Sequence, residues 1–156
     1  MMILKKIISQ QLWIIILLTL INCKEKEQFL KSIYTNPCYV NNNYTGKIIP
    51  NLNLDTIDLN QNTTRSTALF LGKFKKQHTI SELEKMHNSL DTFVSPLEKE
   101  NDTIYFNYKF DSTGKFYLDG YIQDLVLLKN YYPDGRARVI TNLIKVSEKI
   151  KVIEQK

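Results

Sequence analysis

Few side chains in this 156-residue sequence have types and spacings that could do chemistry together. Glu84, His87 and Asp91 stand three and four residues apart, and His78 lies nearby. A helix would place the first three on one face. Zinc sites take three or four ligands, commonly paired His or Cys. One His between two carboxylates lacks that pairing, so this group reads as a solvated helix face and no metal is expected. A catalytic Cys needs a His partner and an electropositive setting. Neither His lies near Cys38 in sequence, so Cys38 reads as a buried structural thiol. The sequence holds no Gly-rich phosphate loop and no nucleophile elbow. The expectation is a protein without catalytic residues or cofactor, and not an enzyme.

The chemistry left is recognition. Tyr105, Tyr117 and Tyr121 fall on one side of two alternating segments, and Tyr131 and Tyr132 cap the loop that follows. Tyr is rigid and amphipathic, which suits stacking on sugars or contact with a partner protein. Tyr105, Tyr117 and Tyr121 are therefore the expected binding patch, unless a second sheet or a helix covers that side. Formal charge is +5, from 21 Lys and Arg against 16 Asp and Glu. Lys5 and Lys6 belong to the amino-terminal segment, leaving 5 − 2 = +3 on the rest. So small a surplus, spread among mixed charges, excludes a nucleic-acid footprint.

These residues need elements to position them. Ile104, Phe106, Tyr108 and Phe110 alternate with Tyr105, Asn107 and Lys109, the period of a strand. Asp111, Ser112, Thr113 and Gly114 carry turn chemistry. Phe116, Leu118, Gly120 and Ile122 then alternate with Tyr117, Asp119, Tyr121 and Gln123. The pair predicts a hairpin with Phe106, Phe110, Phe116, Leu118 and Ile122 in the core. Residues 125–128 are apolar on both faces, which implies a bulge near Gln123 and Asp124 or a doubly covered strand. Pro133, Asp134 and Gly135 mark a turn before a strand over 136–146. Ser147, Glu148 and Lys149 predict a turn or bulge before a short strand over 150–153.

Earlier, residues 66–74 read as a strand, 60–65 as a loop, and Leu52, Leu54, Ile57 and Leu59 as irregular edge strands. Ser81 with Glu84, or Thr79 with Glu82, fits a capping box. It opens a helix whose stripe is Ile80, Leu83, Met86, His87 and Leu90. The sum is a mainly β fold, an antiparallel β-sandwich with one short helix. A single sheet backed by the helix, an α+β domain, is the alternative. Asp111, Gly114 and Tyr117 resemble the corner before strand F of immunoglobulin-like domains, which implies an immunoglobulin-like sandwich.

The amino terminus has its own pattern. Lys5 and Lys6 precede an apolar run over residues 12–21. That run is about half the ~20 residues needed to cross a bilayer. The segment Leu20-Ile21-Asn22-Cys23 then resembles the lipobox of bacterial lipoproteins. The resemblance implies a signal peptide over 1–22, cleavage before Cys23 and lipid on its thiol. Without lipidation, Cys23 and Cys38 could instead pair as a disulfide. Residues 23–37 read as a charged tether, with one or two helical turns over 28–34 ended by Asn36 and Pro37. The β-rich domain is placed at 38–156.

Among lipoproteins, Asp after the lipidated Cys retains the chain in the inner membrane. Lys24 stands there instead, which implies the outer membrane, with Glu25 and Glu27 partly matching surface-export signals. Asp55, Asp102 and Asp111 begin tripeptides that resemble an O-glycosylation motif. The expected function is a membrane-anchored envelope lipoprotein with a non-enzymatic binding or structural β domain. Its partners would be the membrane, through the anchor, and an envelope protein or glycan. The alternative is an inhibitor or immunity lipoprotein that neutralises a toxin or enzyme.

Overall fold

The computed structural model describes residues 31–50, 52, 62–95 and 103–155. Period-two alternation forms the strands, and charged residues inside the apolar rows decide how those strands associate. The strands are β1 (Lys31–Ile33), β2 (Cys38–Tyr39), β3 (Asn43–Ile49), β4 (Thr63–Phe74), β5 (Asp91–Ser95), β6 (Ile104–Lys109), β7 (Gly114–Leu128) and β8 (Arg138–Ile153). Helix α1 (Ile80–Lys85) and a 3₁₀ turn at His87–Ser89 lie between β4 and β5. The fold is mainly β with two sheets, as expected. One sheet has the order β1-β3-β6 and the other β2-β8-β7-β4-β5. The five-stranded sheet curls into a half-barrel. Its β2–β8 pairing is parallel, a departure from the all-antiparallel immunoglobulin-like pattern.

Both sheets turn one face onto a shared core. Ile48, Ile104, Phe106 and Tyr108 come from the three-stranded sheet. Leu69, Leu71, Phe116, Leu118, Ile122, Ile144, Val146, Ile150 and Val152 come from the other, and Phe110 joins them. All five predicted core residues of the 103–122 segment are thus buried. Gly46 lies opposite Phe106 in the β3–β6 ladder, and the Phe106 ring covers it. An aromatic lying across a strand glycine restores the packing the glycine lacks.

The predicted hairpin is not formed. β6 pairs with β3, while β7 pairs with β4 and β8. The residues 111–113 therefore make a corner between sheets. The Asn41 N–H bonds the Phe110 carbonyl at 2.8 Å and secures that corner. No bulge interrupts β7, whose ladder with β4 runs unbroken from Thr63↔Leu128 to Phe74↔Tyr117. β8 is likewise one strand through residues 147–149, with Glu148 opposite Leu118. Thr63, Thr64 and Arg65 belong to β4, not to a loop.

Strand β1 takes Lys31–Ile33 of the 28–34 segment where helical turns were expected, residues 28–30 lying outside the described residues, so pairing begins inside the segment read as tether. Leu52 is in the core; Leu54, Ile57 and Leu59, like Cys23, lie outside the described residues. Helix α1 begins with the second predicted capping box. The Glu82 N–H bonds Thr79 Oγ1 at 3.3 Å, and Glu82 Oε2 accepts the Thr79 N–H at 2.7 Å. The helix lies on the outer face of the five-stranded sheet, where Leu83 and Leu90 pack on Phe70 and Tyr121.

Candidate functional site

The predicted tyrosine patch is split. Tyr105 is exposed on β6, in the three-stranded sheet. Tyr117 and Tyr121 share the outer face of β7 in the other sheet. Helix α1 covers Tyr121, which stacks on Phe70 at 5.1 Å and meets His87 Nδ1 at 2.8 Å from its hydroxyl. Burial, with Glu84 nearby, raises its ionisation above the ordinary value. Alternation placed each ring correctly within its strand, but strand pairing and helix docking keep the three from forming one surface.

The buried polar groups work as fasteners. Asp119 is fully buried beside α1. It accepts the His78 backbone N–H at 2.6 Å, faces His78 Nδ1 at 3.3 Å and pairs with Lys145. These bonds pin the segment before α1 to β7 and β8. Asp124 is fully buried on the inner face. It receives Arg65 Nε and Nη2, each at 2.8 Å, and Thr67 Oγ1 at 3.3 Å. Half-buried Glu148 holds β1 through Ser32, and its carboxylate adds to burial in raising the ionisation of Tyr34. Among the described residues no group of three His, Cys, Asp or Glu is placed to hold a metal.

Cys38 is buried on β2 and donates to the Thr35 carbonyl at 3.1 Å. Burial pushes its thiol up, with Tyr108 pulling partly back. A thiol held protonated is a poor nucleophile. The Tyr108 hydroxyl accepts the Thr35 N–H at 2.9 Å. Burial is the main cause that raises its ionisation from 10.0 to about 12. The folded state keeps a proton that the unfolded chain gives up. Its contribution is therefore complete below the unfolded value and lost as pH rises through about 12. Cys38, Tyr34 and Tyr121 are shifted in the same direction. The melting temperature is expected to fall across this alkaline range, and less steeply in Tyr108→Phe. Equal slopes in the two chains would refute the role given to Tyr108.

What remains exposed and organised is the tip of the β7–β8 hairpin. Positive φ at Asn130 and Gly135 shapes it, and the Gly135 N–H bonds the Tyr132 carbonyl at 2.9 Å. The Lys129 N–H ties its base to the Asn62 carbonyl at 2.7 Å. Tyr131 and Tyr132 meet edge to face at 5.0 Å and are 48% and 41% exposed. Arg138 lies over Tyr131 at 5.0 Å and donates to its hydroxyl at 2.8 Å. Arg136 lies over Tyr132 at 5.2 Å and pairs with Asp134 at 2.7 Å. Exposed Val139 adjoins Arg138. The sequence carried the two tyrosines and the turn; the stacking of both arginines on them comes from the fold.

Fold and surface together define a β-rich domain with a structural interior and an aromatic–arginine tip. Comparison with protein-family models, curated proteins and solved structures finds no match for this chain.

Proposed function

We propose that this chain is a bacterial envelope lipoprotein, held to the outer membrane by lipid on Cys23, whose β domain binds rather than catalyses. The observation that carries the binding reading is the hairpin tip. Tyr and Arg are the residue types that dominate binding hot spots. Here Tyr131, Tyr132, Arg136 and Arg138 are stacked and hydrogen-bonded in advance, which lowers the entropy lost on contact. The carboxylates inside the fold support the same reading, since buried Asp119 and Asp124 and half-buried Glu148 are engaged in holding elements together. The partner is a component of the envelope, where the anchor concentrates the domain. The core that both sheets share supports reading them as the two layers of a sandwich-like domain.

The anchor is tested by metabolic labelling with a fatty acid. The parent chain is expected to take up label and Cys23→Ala to lose it. Equal labelling of both chains would end this reading.

A further inference from the structure

The first described residues keep step with β8 and run in its direction. Ser32 bonds Glu148. The Asn36 side chain donates to the Lys149 carbonyl at 3.2 Å and accepts the Lys151 N–H at 3.0 Å. Cys38 is level with Val152 and Tyr39 with Ile153. At Lys31 the chain therefore enters the domain from the low-numbered end of β8. That end carries the hairpin tip, because β8 begins at Arg138.

Lengths agree with this direction. Cys23 precedes Ser32 by nine residues, which span at most about 30 Å when extended. Glu148 to Arg138 is ten residues of strand, about 33 Å. A lipid on Cys23 reaches at most about 30 Å toward that end, short of Arg138 at about 33 Å, so the tether cannot hold the tip clear of a bilayer facing that end.

The tip has the chemistry of a membrane–water boundary. Tyr sits at headgroup level with its ring toward the acyl chains and its hydroxyl in the polar layer. Arg and Lys extend their charges to lipid phosphates while their stems stay in apolar contact. Lys129, Arg136 and Arg138 against Asp134 leave 3 − 1 = 2 positive charges on the tip, and anionic leaflets attract basic segments near their surface.

We propose that the β7–β8 tip is a second membrane contact, seating Tyr131 and Tyr132 in the headgroup layer with Lys129, Arg136 and Arg138 against lipid phosphates. It rests on the lipid anchor at Cys23 and names the envelope component that the tip meets. The domain then stands end-on, with Tyr39 and the far end of β8 pointing away from the membrane. The chains on Cys23 supply the attachment, and the tip fixes the orientation of the domain through a folded surface.

The test places a tryptophan at either end of the full chain in vesicles of phosphatidylethanolamine and phosphatidylglycerol that contain a brominated lipid. Tyr132→Trp and Tyr39→Trp both fall on exposed positions, 41% and 38%. Cleavage before Cys23 removes Trp13, so the lipidated parent chain carries no tryptophan and gives the baseline. The indole introduced at the tip is expected to shift to shorter wavelength and to be quenched at least twofold more than the indole introduced at the far end. Equal quenching at the two ends in fatty-acid-labelled protein would overturn the tip contact and leave the anchor standing, as would a tip occupied by a protein partner instead. Absence of label from the parent chain overturns the anchor and the end-on seating together.

Discussion

Gly120→Ala is expected to cost about 3 kcal/mol or more, at the upper end of what overpacking a core does. Gly120 lies opposite Leu71 in the β4–β7 ladder, three pairs in from its Phe74↔Tyr117 end. A Cβ built there would stand 2.0 Å from the Phe70 carbonyl oxygen and 2.9 Å from the Leu71 Cα. Those obstacles are backbone, so relief requires β4 and β7 to move apart. Glycine inside a strand marks this kind of close approach. Gly46→Ala provides the comparison, because its obstacle is the Phe106 ring at 2.2 Å. A ring can swing aside, so Gly46→Ala should destabilise less. Urea unfolding of the three chains measures the order. A Gly120→Ala loss below about 0.5 kcal/mol, the range of neutral surface changes, would mean that β4 and β7 are not packed as described. Net stabilities of about 5–15 kcal/mol make the expected loss a large share of the total.

Arg65→Met is expected to cost about 3–5 kcal/mol, the range for breaking one side of a buried ion pair. Asp124 is fully buried and holds Arg65 through two bonds of 2.8 Å. Removal of the guanidinium leaves the carboxylate with Thr67 Oγ1 at 3.3 Å. Lysine would not restore the fork, because it is a point charge without two parallel donors. Replacing both partners removes the stranded charge, so Arg65→Met with Asp124→Leu should recover most of the loss. The double-mutant cycle reads the coupling directly, and a value above about 1.5 kcal/mol is expected for residues in direct contact. Additive losses would show that the two side chains act independently and that the pair does not organise this end of the sheet.

The sequence by itself determined the local choices. Alternation over 104–110 and 116–122 assigned Phe106, Phe110, Phe116, Leu118 and Ile122 to the core, and all are buried. The capping box of Thr79 and Glu82 and the turn at Pro133, Asp134 and Gly135 were legible because a few adjacent residues fix them. Only the tertiary structure decided which strands pair. Turn chemistry at Asp111 and Gly114 suits a hairpin and a corner between sheets equally well, and the choice belongs to the partners β3, β4 and β8. Strand β1 has little local signal and forms through its ladder with β3. The tip was legible only in part. Tyr131 and Tyr132 stood out as a pair, but cation stacking by Arg136 and Arg138 needs the loop's folded path. Three places where strands were expected to break account for the rest. The apolar run 125–128 implied a bulge near Gln123 and Asp124 or a doubly covered strand, residues 147–149 a turn or bulge, and 60–65, without a core face, a loop. Asp124, Glu148 and Arg65 instead lie within unbroken strands, with Arg65 the partner of Asp124 and Ser32 of Glu148. A charge in an inner row is held by a partner distant in sequence that supplies its hydrogen bonds, and only the folded chain brings that partner near.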